Sequence, residues 1–300
     1  MRILVSLVIL FFCFDLNAQE TPIFDSLQIV APGALLHKVS DQFSFTEGPA
    51  ADRKGRVYFT DQPNDNIWRY DPDKGDLILF LSGTGRANGL YIDQEGNIIA
   101  CADENNEIRK ITTKGKSSVV LGKVEGRRLN GPNDLWINRN GGIYFTDPLY
   151  KRSYWKHSEP RMESEDVYYL AVGASQPVVV DGDLKKPNGI IGSVDGKILY
   201  VADIGDSKTY RYVISRDGSL KNKTLLTNLG SDGMTMDHRG NVYLTGNGVT
   251  VFDPKGNRIA HIPVPEKWTA NVTFGGDKKN VLLITAGKSV YTLQMNVKGQ

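Results

Sequence analysis

Cysteine is nearly missing from this 300-residue chain, which carries two, Cys13 and Cys101. Cys13 falls in an apolar N-terminal stretch of the kind removed on export. The residues before it, Leu10-Phe11-Phe12, fit a lipid-attachment box badly. Neither an intramolecular disulfide nor a cysteine-built zinc site is therefore expected. Cys101, in the strand-like run NIIACAD, reads as a small core residue rather than a nucleophile. Charge of one sign is also lacking. The 36 basic and 34 acidic residues leave a formal charge of +2. No dense Lys/Arg run is interleaved with aromatics, which argues against nucleic acid as a partner. Beyond the N-terminal stretch no apolar segment approaches the ~20 residues of a membrane-spanning helix. A sustained 3.6-residue periodicity is absent as well, which excludes a helical architecture. There is no G-x-S-x-G motif, which argues against covalent serine catalysis.

What is present begins with a leader. MRILVSLVILFFCFDLNAQE carries Arg2 ahead of an apolar stretch, Ile3 to Phe14, and the small residue Ala18 before Gln19. This pattern is that of a signal peptide over residues 1–18, so an exported protein, periplasmic or secreted, is expected. Once the leader is cleaved, no membrane association remains. Residues 19–33 read as a lead-in, and 34–298 as a single domain.

That domain repeats. DRKGRVYFTD at 52–61 has counterparts in DQEGNIIACAD, NRNGGIYFTD, SVDGKILYVAD and DHRGNVYLTG, with a more degenerate sixth copy in GGDKKNVLLITAG. Each is a polar turn with Gly or Asn, followed by an alternating run of β-branched and aromatic residues, which is a hairpin signal. A short strand precedes each turn and one or two more follow. Six units of about forty residues with about four antiparallel strands each describe an all-β, six-bladed β-propeller. The sixth unit lacks an outer strand, and ALLHKVS at 34–40 is placed to supply it.

Just before each first strand stands one polar residue: Glu47, Asn88, Asn133, Asn188, Asp232 and Asn271, at intervals of 41, 45, 55, 44 and 39 residues. First strands line the channel of a propeller, so these six residues are expected to converge on one ring at one face. A ring of carboxylate and amide oxygens without Cys or His is hard-oxygen chemistry that suits Ca²⁺. Most of these residues are followed by Gly, which lets the backbone turn tightly. In NGPNDLWINRNGGIYFTD the repeat assigns the ring position to Asn133 and leaves Asp134 out. Asp61, Asp103, Asp147 and Asp203, which end the second strands, are expected to cap turns.

In FTEGPA, RANGL, RLNGPNDL with GGIYFTDP, KPNGI with LYVAD, SDGM with GNVYLT, and VTFGG, the chain resembles the gluconolactonase–regucalcin (senescence marker protein) family of calcium-dependent propeller hydrolases. The resemblance covers about residues 45–287. It implies that Glu47, Asn133, Asn188 and Asp232 bind a divalent cation, and that Asp232 acts as general base. It also places Asn88 in the substrate pocket, beside Asn133 and the remaining ring residue Asn271. Two departures bear on the substrate. Animal members carry an Arg two residues before the match of Asn133, where this chain has Gly131, with Arg128 only an approximate substitute. Ser231 stands where the family's PDGM motif has proline.

The activity implied is hydrolysis of a sugar lactone to its aldonic acid. The metal polarises the carbonyl and a carboxylate base activates water. Ca²⁺ is the expected ion, with Zn²⁺, Mg²⁺ and Mn²⁺ as alternatives; the partner is a small molecule, and no partner protein is evident. The same ligands would serve another lactone, an ester or an organophosphate. A non-catalytic, metal-stabilised binding propeller is the alternative of another class. The third unit carries an insertion, PLYKRSYWKHSEPRMESED at 148–166, rich in Tyr, Trp and Arg and including His157. It is either a lid that selects the substrate or an exposed hairpin tip.

Overall fold

The computed structural model describes residues 22–156 and 159–300. The leader and His157 lie outside the described residues. Alternating β-branched and aromatic side chains, punctuated by Asx- and Gly-containing turns, fold into six antiparallel sheets arranged as a six-bladed propeller. Blade 1 comprises Thr46–Ala51, Val57–Asp61, Asn66–Asp71 and Asp76–Ser82. Blade 2 comprises Ala87–Ile92, Ile98–Ala102, Glu107–Ile111 and Ser117–Leu121. Blade 3 comprises Leu135–Ile137, Ile143–Thr146, Val167–Leu170 and Val178–Asp181. Blade 4 comprises Pro187–Gly192, Ile198–Asp203, Lys208–Ile214 and Leu220–Thr227.

Blades 5 and 6 use both ends of the chain. Blade 6 comprises Thr269–Gly275, Val281–Ala286 and Ser289–Gln294, completed by His37–Ser40 from the start of the chain. Blade 5 comprises Met234–Met236, Val242–Gly246, Gly248–Phe252 and Arg258–Ile262. The lead-in gives it a fifth strand, Phe24–Asp25, paired with Arg258–Ile262. Asp25 stops that strand by accepting the amides of Ile29 and Val30 at 3.0 and 2.8 Å.

The core is divided among the blade interfaces. Phe59, Val57, Leu283 and Val290 pack between blades 6 and 1, and Phe145, Tyr168, Cys101 and Ile108 pack between blades 2 and 3. Cys101 is fully buried there, as a core residue would be. Each buried large apolar side chain contributes about 1.5–3 kcal/mol through removal from water. The second strands, VYFTD in blade 1 and IYFT in blade 3, are buried throughout because neighbouring blades cover both of their faces. First strands of successive blades touch one another around the axis, and this contact brings the ring residues together.

Candidate active site

Four of the six ring residues are aimed by the same local device, while Asn133 and Asp232 stand just before the strands Leu135–Ile137 and Met234–Met236. The first strands of blades 1, 2, 4 and 6 break register at the ring position, between Glu47 and Ala50, Ala87 and Leu90, Pro187 and Ile190, and Thr269 and Asn271. A bulge of this kind turns a side chain out of the alternating pattern, here towards the channel mouth. Threonines of the second strands then fix the ring backbone of the next blade. Thr60 Oγ1 donates to the Asn88 carbonyl at 3.1 Å, and Thr146 Oγ1 to the Asn188 carbonyl at 2.8 Å.

The glycines after Asn88, Asn188 and Asp232 act by close approach rather than by turning, whereas Gly48, after Glu47, has a φ of +39° as well as a close approach to Asn88. Gly89 has no positive φ, yet a Cβ there would lie 2.5 Å from the Asn133 carbonyl oxygen and 2.6 Å from Asp134 Oδ1. A Cβ on Gly233 would lie 1.9 Å from Asn271 Cγ. Adjacent blades meet so tightly at the ring that no side chain fits between them.

The side chains converge. Glu47 is 4 % exposed; its Oε2 accepts the Gly48 amide at 2.8 Å and Asn271 Nδ2 at 3.3 Å. Burial, the negative charge of Asp232 and that of Asp134 push its carboxyl well above the usual range, against the pull of those two donors. Asp232 accepts Asn188 Nδ2 on Oδ1 at 2.8 Å and Trp268 Nε1 on Oδ2 at 2.5 Å. Burial raises its pKa, while Trp268, Asn188 and the positive charge of Arg152 hold it down. Asn88 and Asn188 are buried, and the Oδ1 atom of each has no hydrogen-bond partner. A buried amide oxygen without a donor costs free energy unless something electropositive faces it.

Two carboxylates and unpartnered amide oxygens in one cluster fit a hard divalent cation. Among the described residues no group of three or more His, Cys, Asp or Glu is arranged to hold a metal. The candidate donor set is therefore of mixed carboxylate and amide type. Asn133 borders the same mouth, its amide donating to the Thr146 carbonyl and its carbonyl accepting from Gly89, both at 2.9 Å. Asn271 sits one layer down, bracing Glu47 and reaching Asp134. Asp134 belongs to this layer too. Burial pushes its carboxyl up to about 7, and its charge acts on Glu47. A wide groove lies at the opposite end of the propeller, lined by turn residues such as His238 and Lys255, and contains no ring residue.

Arg128 is half-buried on the loop before blade 3, donating through Nη1 to the carbonyl of Asn105. The 148–166 insertion reaches the ring instead. Tyr150 OH accepts Asn188 Nδ2 at 2.8 Å. Arg152 Nε and Tyr154 OH donate to Asp103 Oδ2 at 2.5 and 3.0 Å, and Trp155 Nε1 donates to the Asp103 carbonyl at 2.7 Å. A Cβ at position 131 would lie 3.0 Å from Trp155 Cη2, so the space over Gly131 is taken by the insertion. The insertion thus lies across the mouth.

The capping role expected of the second-strand aspartates holds for three of them. Asp61 accepts the amides of Ser44 and Phe45, Asp147 those of Asn130 and Gly131, and Asp203 those of Lys185 and Lys186. Asp103 does not cap its loop, because Asp65 receives the Arg86 amide there, and Asp103 holds the insertion instead. Tyr150, Arg152 and Trp268 are the mouth residues that the repeat could not reveal. Trp268 stands three residues before Asn271, and this position was the only signal for it in the sequence.

Known proteins resemble this chain over most of its length. The chain is 27 % identical over 292 residues to a gluconolactonase of Zymomonas mobilis, covering 87 % of this chain and 81 % of that one. It is 25 % identical to diisopropyl-fluorophosphatase of Loligo vulgaris, covering 83 % and 88 %. The solved structure of a gluconolactonase from Xanthomonas campestris superposes with a TM-score of 0.84 at 28 % identity, over 92 % of this chain and 95 % of that one. A calcium-binding regucalcin of Agrobacterium tumefaciens shares the fold, with a TM-score of 0.72 at 19 % identity over 89 % and 96 %. Residues 22–288 match the profile described as SMP-30/Gluconolactonase/LRE-like region, and the chain belongs to that family.

Proposed function

We propose that the protein is a metal-dependent lactone hydrolase that opens a sugar lactone to its aldonic acid. The observation that carries this reading is the convergence of Glu47 and Asp232 with the unpartnered amide oxygens of Asn88 and Asn188 at one channel mouth. Relatives that span most of this chain are named for gluconolactone and other lactone hydrolysis.

Glu47, Asn133, Asn188 and Asp232 would hold a divalent cation. Ca²⁺ suits oxygen donors of this kind best, with Mg²⁺, Mn²⁺ and Zn²⁺ as alternatives. A bound ion of this kind supplies Lewis-acid polarisation of a carbonyl. Asp232 is the general base. Its Oδ1 and Oδ2 are each oriented by one donor, and burial raises its basicity, which favours proton uptake from an attacking water. Asn88, with an open amide oxygen, and Asn133 are placed to orient the sugar hydroxyls. The insertion narrows the mouth and keeps bulk water from the reacting carbonyl.

Assay of the purified protein against D-glucono-1,5-lactone, with and without chelator, tests this directly. Chelator-sensitive hydrolysis that is lost in Asp232→Asn, in a variant still folded, supports it. Absence of any metal-dependent lactone hydrolysis would sink it. A phosphofluoridate belongs in the same panel, since a relative of comparable similarity is named for that activity. Export is part of the proposal. A mature N-terminus beginning near Gln19, recovered from outside the cytoplasm, supports it, and full-length protein confined to the cytoplasm refutes it.

A further inference from the structure

Three cations stand at the rim against the two tyrosines of the insertion, Arg152 from the insertion itself and Arg86 and Lys186 from the segments before blades 2 and 4. The Arg86 guanidinium lies 4.3 Å from the centre of the Tyr154 ring. Lys186 Nζ lies 4.8 Å, and the Arg152 guanidinium 5.6 Å, from the centre of Tyr150. Two of the three heads are already engaged. Arg86 Nη1 donates to the Pro63 carbonyl at 2.7 Å. Lys186 Nζ donates to the Leu149 carbonyl at 3.0 Å and faces Glu165 at 3.7 Å.

Arg152 differs from both. Its side chain is 24 % exposed and is held from behind by Nε alone, which donates to Asp103 Oδ2. Asp103 is the one second-strand aspartate among the four released from capping its own blade, and it also receives Tyr154 OH and Gln62 Nε2. Four groups therefore fix the orientation of this guanidinium: Asp103, Gln62, Tyr154 and the Tyr150 ring. Neither Nη group hydrogen-bonds to any described residue. The Arg152 guanidinium lies over the Tyr150 ring, whose hydroxyl accepts Asn188 Nδ2 at 2.8 Å, and this places the open fork beside the ring residues. An arginine clamped at Nε with its Nη edge free is preorganised for two-point contact with an oxyanion, which a lysine cannot reproduce.

We propose that Arg152 is a specificity-determining residue that receives an anionic substituent of the substrate, a carboxylate, sulfonate or phosphate distant from the lactone carbonyl. The preferred substrate is then an acidic sugar lactone rather than a neutral one. This rests on the lactone-hydrolase reading of the same site. It also accounts for the empty position 131: the cation comes from the insertion, and Trp155 fills the space above Gly131.

The test compares kcat/KM for 6-phospho-D-glucono-1,5-lactone and D-glucono-1,5-lactone with the metal-loaded protein. The wild type should favour the phosphorylated lactone on the order of tenfold, the worth of one charge-assisted hydrogen bond. Arg152→Gln should erase that preference through KM for the anionic substrate, and Arg152→Lys should restore only part of it. Lys151→Gln removes an exposed cation of the same insertion and should keep the preference. A wild type that favours the neutral lactone or treats both alike overturns the proposal, as does an equal loss on both substrates in Arg152→Gln. If neither lactone is hydrolysed, the hydrolase reading fails by itself. Arg152 is then judged by calorimetric binding of 6-phosphogluconate against gluconate, and equal affinities would refute it.

Discussion

Trp268 Nε1 donates to Asp232 Oδ2 at 2.5 Å, so an indole from the loop before blade 6 sits directly on the proposed general base. This bond favours the ionised carboxylate and opposes the burial that raises its pKa. Replacing Trp268 by Phe keeps an aromatic ring but removes the donor. Asp232 then keeps its proton to higher pH, and activity on the acid side is lost earlier as pH falls. The acidic limb of the pH profile of kcat should move up by about one unit, the equivalent of one hydrogen bond to a charged group. An unmoved limb would remove Asp232, or this bond, from the base role.

Gly89→Ala tests the close packing at the ring. The added Cβ would meet the Asn133 carbonyl and the Asp134 carboxylate, both parts of the backbone frame or the buried layer below. Overpacking of this kind costs about 1–3 kcal/mol. A fall in Tm of several degrees should accompany weakened binding of the metal, because Asn133 must shift. A variant with wild-type Tm would show that the frame yields easily.

Metal removal should destabilise the fold as well as stop turnover. A ligand bound only by the folded state raises stability by mass action, about 2.7 kcal/mol at a hundredfold excess over Kd. Thermal melting in chelator should therefore give a lower Tm than in millimolar Ca²⁺, and Glu47→Gln should abolish the difference. A Tm indifferent to every divalent cation would count against the site.

Stability without metal should fall as pH rises. Burial pushes the carboxyls of Asp134 and Asp147 up to about 7, the latter assisted by the negative charges of Asp166 and Glu165. Raised folded-state values mean that the folded chain holds protons which the unfolded chain releases near pH 4. The stabilisation is complete below that value and is lost as pH climbs through about 7. Melting in chelator from pH 5 to 8 should show a declining Tm, with a shallower slope in Asp147→Asn. A Tm that rises across this range would contradict the shifts.

Much of the architecture is readable in local patterns. VYFTD, IYFTD and VYLTG alternate around Asx- and Gly-containing turns, and a strand and its turn depend on neighbours only a few residues away. The ring positions followed because the repeat gives each unit the same place relative to the axis. The lead-in strand Phe24–Asp25 was not visible, since two residues carry no periodicity and their partner, Arg258–Ile262, is far along the chain. The glycines after Asn88, Asn188 and Asp232 were visible but read for the wrong reason, while Gly48, with its positive φ, does turn the backbone. Tight turning is a local property, whereas the 1.9 Å approach at Gly233 involves a different blade.

The sequence by itself determined six hairpin units, their order and one polar residue per unit at a fixed phase, because side-chain alternation and turn chemistry act over a few bonds. Only the tertiary structure decided which of four equivalent aspartates would leave its turn. Asp61, Asp147 and Asp203 cap their own blades, while Asp103 faces the mouth and holds Arg152. Their strand contexts are alike, and they differ in what the insertion of blade 3 brings within hydrogen-bond reach. Long-range packing sets that distance, and no periodicity in the chain records it.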